Sequence, residues 1–375
     1  SQRTVDDSIQ LASPEDWQVL GRPAKKITSH EVVTGAAVFP SDIVRPGMLY
    51  GKVLRPVAYG AKLLSVDTEA ASGLEATVVH EDDFVGCVAP TSFAAAQALS
   101  AMAETARWDT PQHVDSDRLF EHLKRTAQER TAQEGTSADG TATSDSTTGK
   151  AFEAAYTVAY IQHAPMEPRA AVAEWDTKGL TVWTGTQQPE RVRSELARAF
   201  RLDDSNVRVI VPDTGGGFGG KHTGEVAVEA ARLARAVSRP VKLRWTREEE
   251  FTWAYFRPAG VLAVESGALA DGTVTAWRFH NYNSGATAME PPYRFPEPEL
   301  EFHRADSPRR QGSYRALAAT ANHFARESHM DEIARGLDLD PLDVRLRNLD
   351  DPRLIAVLEA AAKRFGWGRK VAGPD

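Results

Sequence analysis

Chemistry in this chain is concentrated at one turn. An alternating apolar stretch, Val207 to Val211, runs into Gly215-Gly216-Gly217-Phe218-Gly219-Gly220-Lys221-His222, and an alanine-rich segment carrying Val226, Ala230, Leu233 and Val237 at helical spacing follows. The pattern predicts a largely buried strand, a turn and a helix. Five glycines around one phenylalanine remove nearly every Cβ, so the backbone can take positive φ and press its N–H groups against a ligand. Placed ahead of a helix, such a turn favours a phosphate or an oxo group. Gly215 to Lys221 fits the start of a nucleotide P-loop, but His222 stands where the Mg²⁺-binding hydroxyl belongs. The dinucleotide spacing fails as well, because His222 occupies the place of its third glycine. A turn that serves only close packing is the plainer alternative.

Composition narrows the chemistry further. The chain has 375 residues, 42% hydrophobic and 26% charged, enough for two or three domains with a sizeable core. A net charge of −8 with dispersed basic residues gives no footprint for nucleic acid. No apolar run reaches membrane length, which predicts a soluble chain, with cytoplasm and periplasm both open as its compartment. Cys87 is the only cysteine, so the chain holds neither an internal disulfide nor an iron–sulfur cluster. It lies in an apolar strand and is expected to be a buried, inert thiol. The ten histidines show no tight ligand spacing, and no protein ligand to a metal is predicted; His323 and His329 read as surface or core.

The elements that must position the turn follow from periodicity. Residues 1–29 form a polar lead-in. Residues 30–112 show short strands at Ala37–Phe39, Met48–Leu54, Ala76–Val79 and Phe84–Ala89, then a helix over Ser92–Arg107. Ser92 is its expected cap, with Phe93, Ala96, Leu99 and Met102 sharing a face. Residues 113–150 begin as a helix at Leu119, Phe120 and Leu123, then lose apolar content from Thr131, which predicts a flexible low-complexity linker. Residues 151–375 carry strands before and after the glycine turn. They also carry a helix from Pro189 with Val192, Leu196 and Phe200 on one face, and a hairpin about Asp271-Gly272. Three helices close the chain, over Ala319–Arg335 with Phe324, Met330 and Ile333 inward, from Asp340-Pro341, and over Pro352–Phe365.

The Gly-Gly-Gly-Phe-Gly-Gly-Lys turn resembles the signature of the molybdenum-binding chain of the xanthine dehydrogenase and aldehyde oxidase family. Thr34-Gly35-Ala36-Ala37-Val38-Phe39 and Pro46-Gly47-Met48-Leu49-Tyr50-Gly51-Lys52 resemble its α/β hammerhead domain. Gln311-Gly312-Ser313-Tyr314-Arg315-Ala316-Leu317-Ala318-Ala319-Thr320-Ala321-Asn322 resembles the large chain of the isoquinoline 1-oxidoreductase branch. The implied fold is α+β: a hammerhead domain at 30–112 and the first molybdopterin-binding domain at 151–375, with mixed sheets and packed helices.

The implied function is part of a molybdenum hydroxylase, an oxidoreductase that inserts water-derived oxygen into an N-heteroaromatic or an aldehyde. In that family amides and backbone N–H groups meet the molybdenum's ligands. By resemblance Gln187, in Thr186-Gln187-Gln188-Pro189, places its amide there, Phe218 and Gly219 bring their backbone, and Arg315 stabilises negative charge. Gly216, Gly217 and Gly220 complete the cofactor-binding set. The cofactor is molybdopterin, plain or as the cytosine dinucleotide, shared with a second molybdopterin-binding domain or subunit. The family's general-base glutamate belongs to that second domain; Gly224-Glu225 reads only as the start of the helix after the turn. [2Fe–2S] clusters belong to a small partner subunit. The chain is therefore expected to be inactive alone. His222 stands where xanthine-oxidising members carry an acid, which argues against a purine. A non-catalytic assembly fragment and a nucleotide-binding P-loop protein are the rival readings.

Overall fold

The computed structural model describes residues 10–133 and 149–368. In chain order the helices and strands are α1 Ser29–Thr34, β1 Leu49–Val53, β2 Lys62–Ser65, β3 Thr77–Glu81, β4 Phe84–Ala89, α2 Ser92–Thr105, β5 Arg107–Asp109 and α3 Leu119–Gln133. There follow β6 Lys150–Val158, β7 Ala170–Asp176, β8 Gly179–Thr184, α4 Pro189–Phe200, β9 Val207–Ile210, α5 Glu225–Val237, β10 Val241–Arg244 and α6 Arg247–Trp253. The last are β11 Gly260–Ala268, β12 Val274–Tyr282, β13 Glu299–His303, α7 Ala319–Gly336, α8 Pro341–Arg347 and α9 Pro352–Phe365.

Two mixed sheets organise these elements. The larger has seven strands in the order β3-β4-β1-β10-β7-β8-β9, so strands from residues 30–112 and from 151–375 share one sheet through the parallel β1–β10 pair. Helices α4 and α5 lie against it, burying Leu196 and Leu233 with Leu49, Val182 and Leu243. The smaller runs β13-β12-β11-β6. Successive residues of β11 point to opposite faces: Leu262 and Val264 meet Met330 and Ile333 of α7, whereas Val261 meets Leu123 of α3. A short β2–β5 pair completes the strands. No helix among the described residues is long and apolar enough to cross a membrane.

Several local expectations are revised. Ala37–Phe39 is no strand; α1 ends at Gly35 in the left-handed conformation and a 3₁₀ turn over Pro40–Asp42 follows. Helix α2 is capped by Thr91, whose hydroxyl accepts the Ala94 N–H, not by Ser92. Its buried face is Ala95, Ala98 and Met102, packed with Val85, Cys87 and Ala89 of β4, and Phe93 is exposed. Phe324 is likewise exposed on α7, where the fully buried His329 takes the core position with hydrogen bonds to Tyr156 and Ser266. Strand β9 stops at Ile210 on the sheet edge, so only Val207 is buried. Residues 134–148, most of the predicted linker, lie outside the described residues, and β6 already starts at Lys150. Cys87 is buried, with its thiol on the Ala95 carbonyl and pushed up to about 11 by burial.

Candidate functional site

The glycine turn, the Gln187 loop and the 311–318 loop meet at one place. Strand β8 delivers Gln187 at its C-terminal end, and the Gln187 N–H bonds the Lys221 carbonyl at 2.8 Å. The Gln187 side-chain Oε1 accepts from the Gly219 N–H at 3.0 Å and the Lys221 N–H at 3.4 Å. With Oε1 held this way, the Gln187 amide nitrogen has no protein partner among the described residues. A Cβ on Gly217 would stand 2.5 Å from that Oε1, so the amide can lie on the turn only because Gly217 is bare. From the other side the Arg315 N–H bonds the Phe218 carbonyl at 2.8 Å. Gly219, at φ +94°, would bring a Cβ to 3.0 Å from the Ser313 carbonyl oxygen.

Free donors and strained backbone accumulate here. The Gly216, Gly217 and Phe218 amides have no protein acceptor among the described residues, whereas Gly215, Gly219, Gly220 and Lys221 donate to protein oxygens. Phe218, Ala316 and Leu317 all hold positive φ (54°, 66° and 52°), a conformation that costs a non-glycine residue of order 1 kcal/mol or more. Phe218, Arg315, Leu317 and Gln187 are exposed, so the surface they form is open on one side.

Beneath it lies a buried polar scaffold. Glu167 Oε2 accepts the Gly215 N–H at 3.0 Å, while its Oε1 takes the Ser41 hydroxyl at 3.0 Å. Arg169 and Glu250 form an ion pair at 2.5 Å, with side chains 3% and 0% exposed, and the guanidinium also donates to the Gly220 carbonyl. Tyr255 Oη donates to the Gly219 carbonyl and receives the His222 N–H at 3.3 Å. His163 Nε2 donates to the Ser313 carbonyl at 2.7 Å, tying the 311–318 loop to the turn. Burial holds the His163 imidazole below its ordinary range, so it stays neutral, and its buried Nδ1 has no partner among the described residues.

The same scaffold disposes of the P-loop. Lys221 points inward, 2% exposed, with Nζ on the Glu167 carbonyl at 2.9 Å and 3.5 Å from the Glu167 carboxylate. Burial, the largest effect on it, holds its ammonium below the usual range. Helix α5 begins only at Glu225, whose carboxylate pairs with Arg310, so neither lysine nor helix end faces the turn as a phosphate site requires. Lys221→Met is expected to cost about 1–3 kcal/mol in a urea melt by leaving the Glu167 acceptors under-satisfied. Neither protein should bind Mg²⁺–ATP in a fluorescent-nucleotide titration; saturable binding that the substitution abolishes would restore the P-loop.

The pattern of the molybdopterin cofactor-binding domain matches residues 120–349. The chain belongs to that family. It is 28% identical over 398 residues to a nicotinate dehydrogenase subunit of Pseudomonas putida, covering 97% of this chain and 33% of that protein. It is 28% identical over 384 residues to the nicotinate dehydrogenase large molybdopterin subunit of Eubacterium barkeri, covering 89% of this chain and 90% of that one. The crystal structure of quinoline 2-oxidoreductase from Pseudomonas putida 86 shares the fold, with a TM-score of 0.74 at 21% identity, over 92% of this chain and 54% of that one. Against most curated relatives the chain spans about half their length or less.

In this molybdopterin-binding chain the structure brings Gln187, Gly216, Gly217, Phe218, Gly219 and Gly220 together with the backbone of Arg315. The Arg315 side chain is exposed, and its guanidinium makes no hydrogen bond or ion pair among the described residues. Sequence reasoning assigned no role to His163, Glu167, Arg169, Glu250 or Tyr255. The available signal was an irregular segment, His163 to Arg169, with two prolines and three polar side chains, set between two strands. Their partners lie about 30–150 positions away, as with Tyr255 and Gly219 or His163 and Ser313.

Proposed function

We propose that this chain forms one wall of the molybdopterin site in a molybdenum hydroxylase. Its substrates are N-heteroaromatic rings, with aldehydes the alternative class. The observation that carries this reading is the Gln187 carboxamide. Its oxygen is tied to the Gly219 N–H at 3.0 Å, and its nitrogen is left as a donor beside three unpaired backbone amides. Such a set suits oxo-type ligands and developing oxyanions, which accept hydrogen bonds and give none.

The residues present fit a molybdopterin. The Gly216, Gly217 and Phe218 N–H groups are left without a protein acceptor among the described residues, the exposed Phe218 and Leu317 offer apolar cover, and no protein ligand to molybdenum is required. When bound, the cofactor supplies a molybdenum that accepts an electron pair from the substrate carbon as oxygen is delivered. Gln187 and the turn amides hold and orient it, the Arg315 guanidinium stabilises anionic charge on the substrate, and the buried scaffold fixes their spacing.

The reading assigns the remaining parts elsewhere. A second molybdopterin domain or subunit supplies the opposite wall and the general-base glutamate, and a small iron–sulfur subunit takes the electrons. The cytosine dinucleotide is the cofactor form proposed.

The test is to co-express this chain with its second molybdopterin half and iron–sulfur partner, then supply nicotinate, quinoline and benzaldehyde with an electron-accepting dye. Expected are about one molybdenum per complex and a hydroxylated N-heteroaromatic whose new oxygen comes from ¹⁸O-labelled water. A complex that holds molybdopterin but oxidises none of these would favour the assembly role instead.

A further inference from the structure

A second cluster of ligand-type side chains lies on the α3-facing side of the smaller sheet and uses none of the residues around the glycine turn. Strands β12 and β13 run parallel with His280 opposite Glu301 and Tyr282 opposite His303. The two-residue side-chain period therefore sets His280 of β12 on one face with Glu301 and His303 of β13. His280 Nδ1 lies 2.9 Å from His303 Nε2, and Glu301 Oε2 lies 3.6 Å from the first and 3.3 Å from the second.

The size of this triangle is informative. Zinc bonded to nitrogen or oxygen at about 2.0–2.1 Å in a tetrahedron separates its ligand atoms by about 3.3 Å. The three observed separations bracket that value. The geometry points to a divalent transition-metal site of the zinc class, formed by His280, Glu301 and His303 with water in the fourth position, that pins edge strand β13 to β12.

Charge and surroundings agree with a cation there. His303 is 7% exposed, so packing fixes the place of its imidazole, and the Glu301 carboxylate supplies the negative charge beside it. In the metal-free arrangement one imidazole donates to the other. With zinc in place both Nδ1 of His280 and Nε2 of His303 are acceptor lone pairs, and His280 carries its proton on Nε2. That nitrogen lies 3.8 Å from Glu299 Oε1, and a shift of about 1 Å on metal binding would bring the two into the carboxylate–histidine–metal arrangement that orients metal-binding imidazoles. The neighbouring cations are engaged: Arg278 pairs with Glu299 at 3.0 Å and Glu265 at 2.7 Å, and Lys124 lies over the Tyr282 ring, which stacks on His303.

The test is zinc alone, titrated into the chelator-stripped, tag-free chain against a chromophoric zinc chelator, with a thermal melt of each sample. One zinc per chain and a raised melting temperature are expected. Binding should be lost in His280→Ala and His303→Ala, and weakened about 10–100-fold in Glu299→Gln. Glu301→Gln keeps the size of a side chain that is 45% exposed, so its metal-free melt should match the parent while zinc affinity falls at least about tenfold. No stoichiometric zinc, or equal affinity in the parent and in Glu301→Gln, would overturn the site.

Discussion

Gln187→Glu is expected to lower kcat of the assembled, cofactor-loaded enzyme about 10²–10³-fold, the usual consequence of losing one positioned donor to an oxyanion. The substitution separates two roles of one side chain. A carboxylate still accepts the Gly219 and Lys221 N–H groups at 3.0 and 3.4 Å, so the turn keeps its shape. It has no N–H to offer, and it sets a negative charge against oxo-type ligands. Urea stability should change by no more than about 0.5 kcal/mol, as for an exposed position whose protein contacts survive. Because the lost interaction matters most in the transition state, kcat/KM should fall by the same factor as kcat. Rates and metal content are to be measured on the same preparation. Unchanged turnover per bound molybdenum would remove Gln187 from the reaction.

The glycine turn was legible because its physics is local: five bare Cα positions beside one phenylalanine announce close approach whatever surrounds them. Most strands and the hairpin at Asp271-Gly272 were legible for the same reason, since period-two alternation and turn chemistry are written within a few residues. Two kinds of feature were not. Phe93 and Phe324 fit an apolar helical face by spacing yet stand exposed, because Ala95 and His329 better match the volumes that β4 and Ser266 leave free. The scaffold under the turn was also hidden, since Arg169 depends on Glu250 and Gly220, and no rule of spacing links those positions. The β13 strand escaped because its parallel partner β12 lies across an irregular excursion, residues 283–298, with no helical crossover to announce it.

Glu250→Ala is expected to remove about 3–5 kcal/mol of folding stability, read as a fall in the urea midpoint at unchanged slope. Glu250 lies wholly inside, bonded to the Arg169 guanidinium at 2.5 Å and accepting the Arg169 backbone N–H as well. Its removal strands a guanidinium in a site only 3% open to water, beside the Trp245 and Tyr255 rings, which cannot replace a carboxylate. The double variant Arg169→Met with Glu250→Leu removes both charges and should recover much of the loss, because two apolar side chains of similar size leave no buried ion behind. Function should not recover with stability. Arg169 also donates to the Gly220 carbonyl, so the double variant frees one end of the glycine turn while the core stays packed. Molybdenum content per folded chain should therefore remain low in the double variant even as its melt approaches the parent's. Full recovery of both would mean that the ion pair supports the core alone and that the turn is held in place by Glu167, Tyr255 and His163.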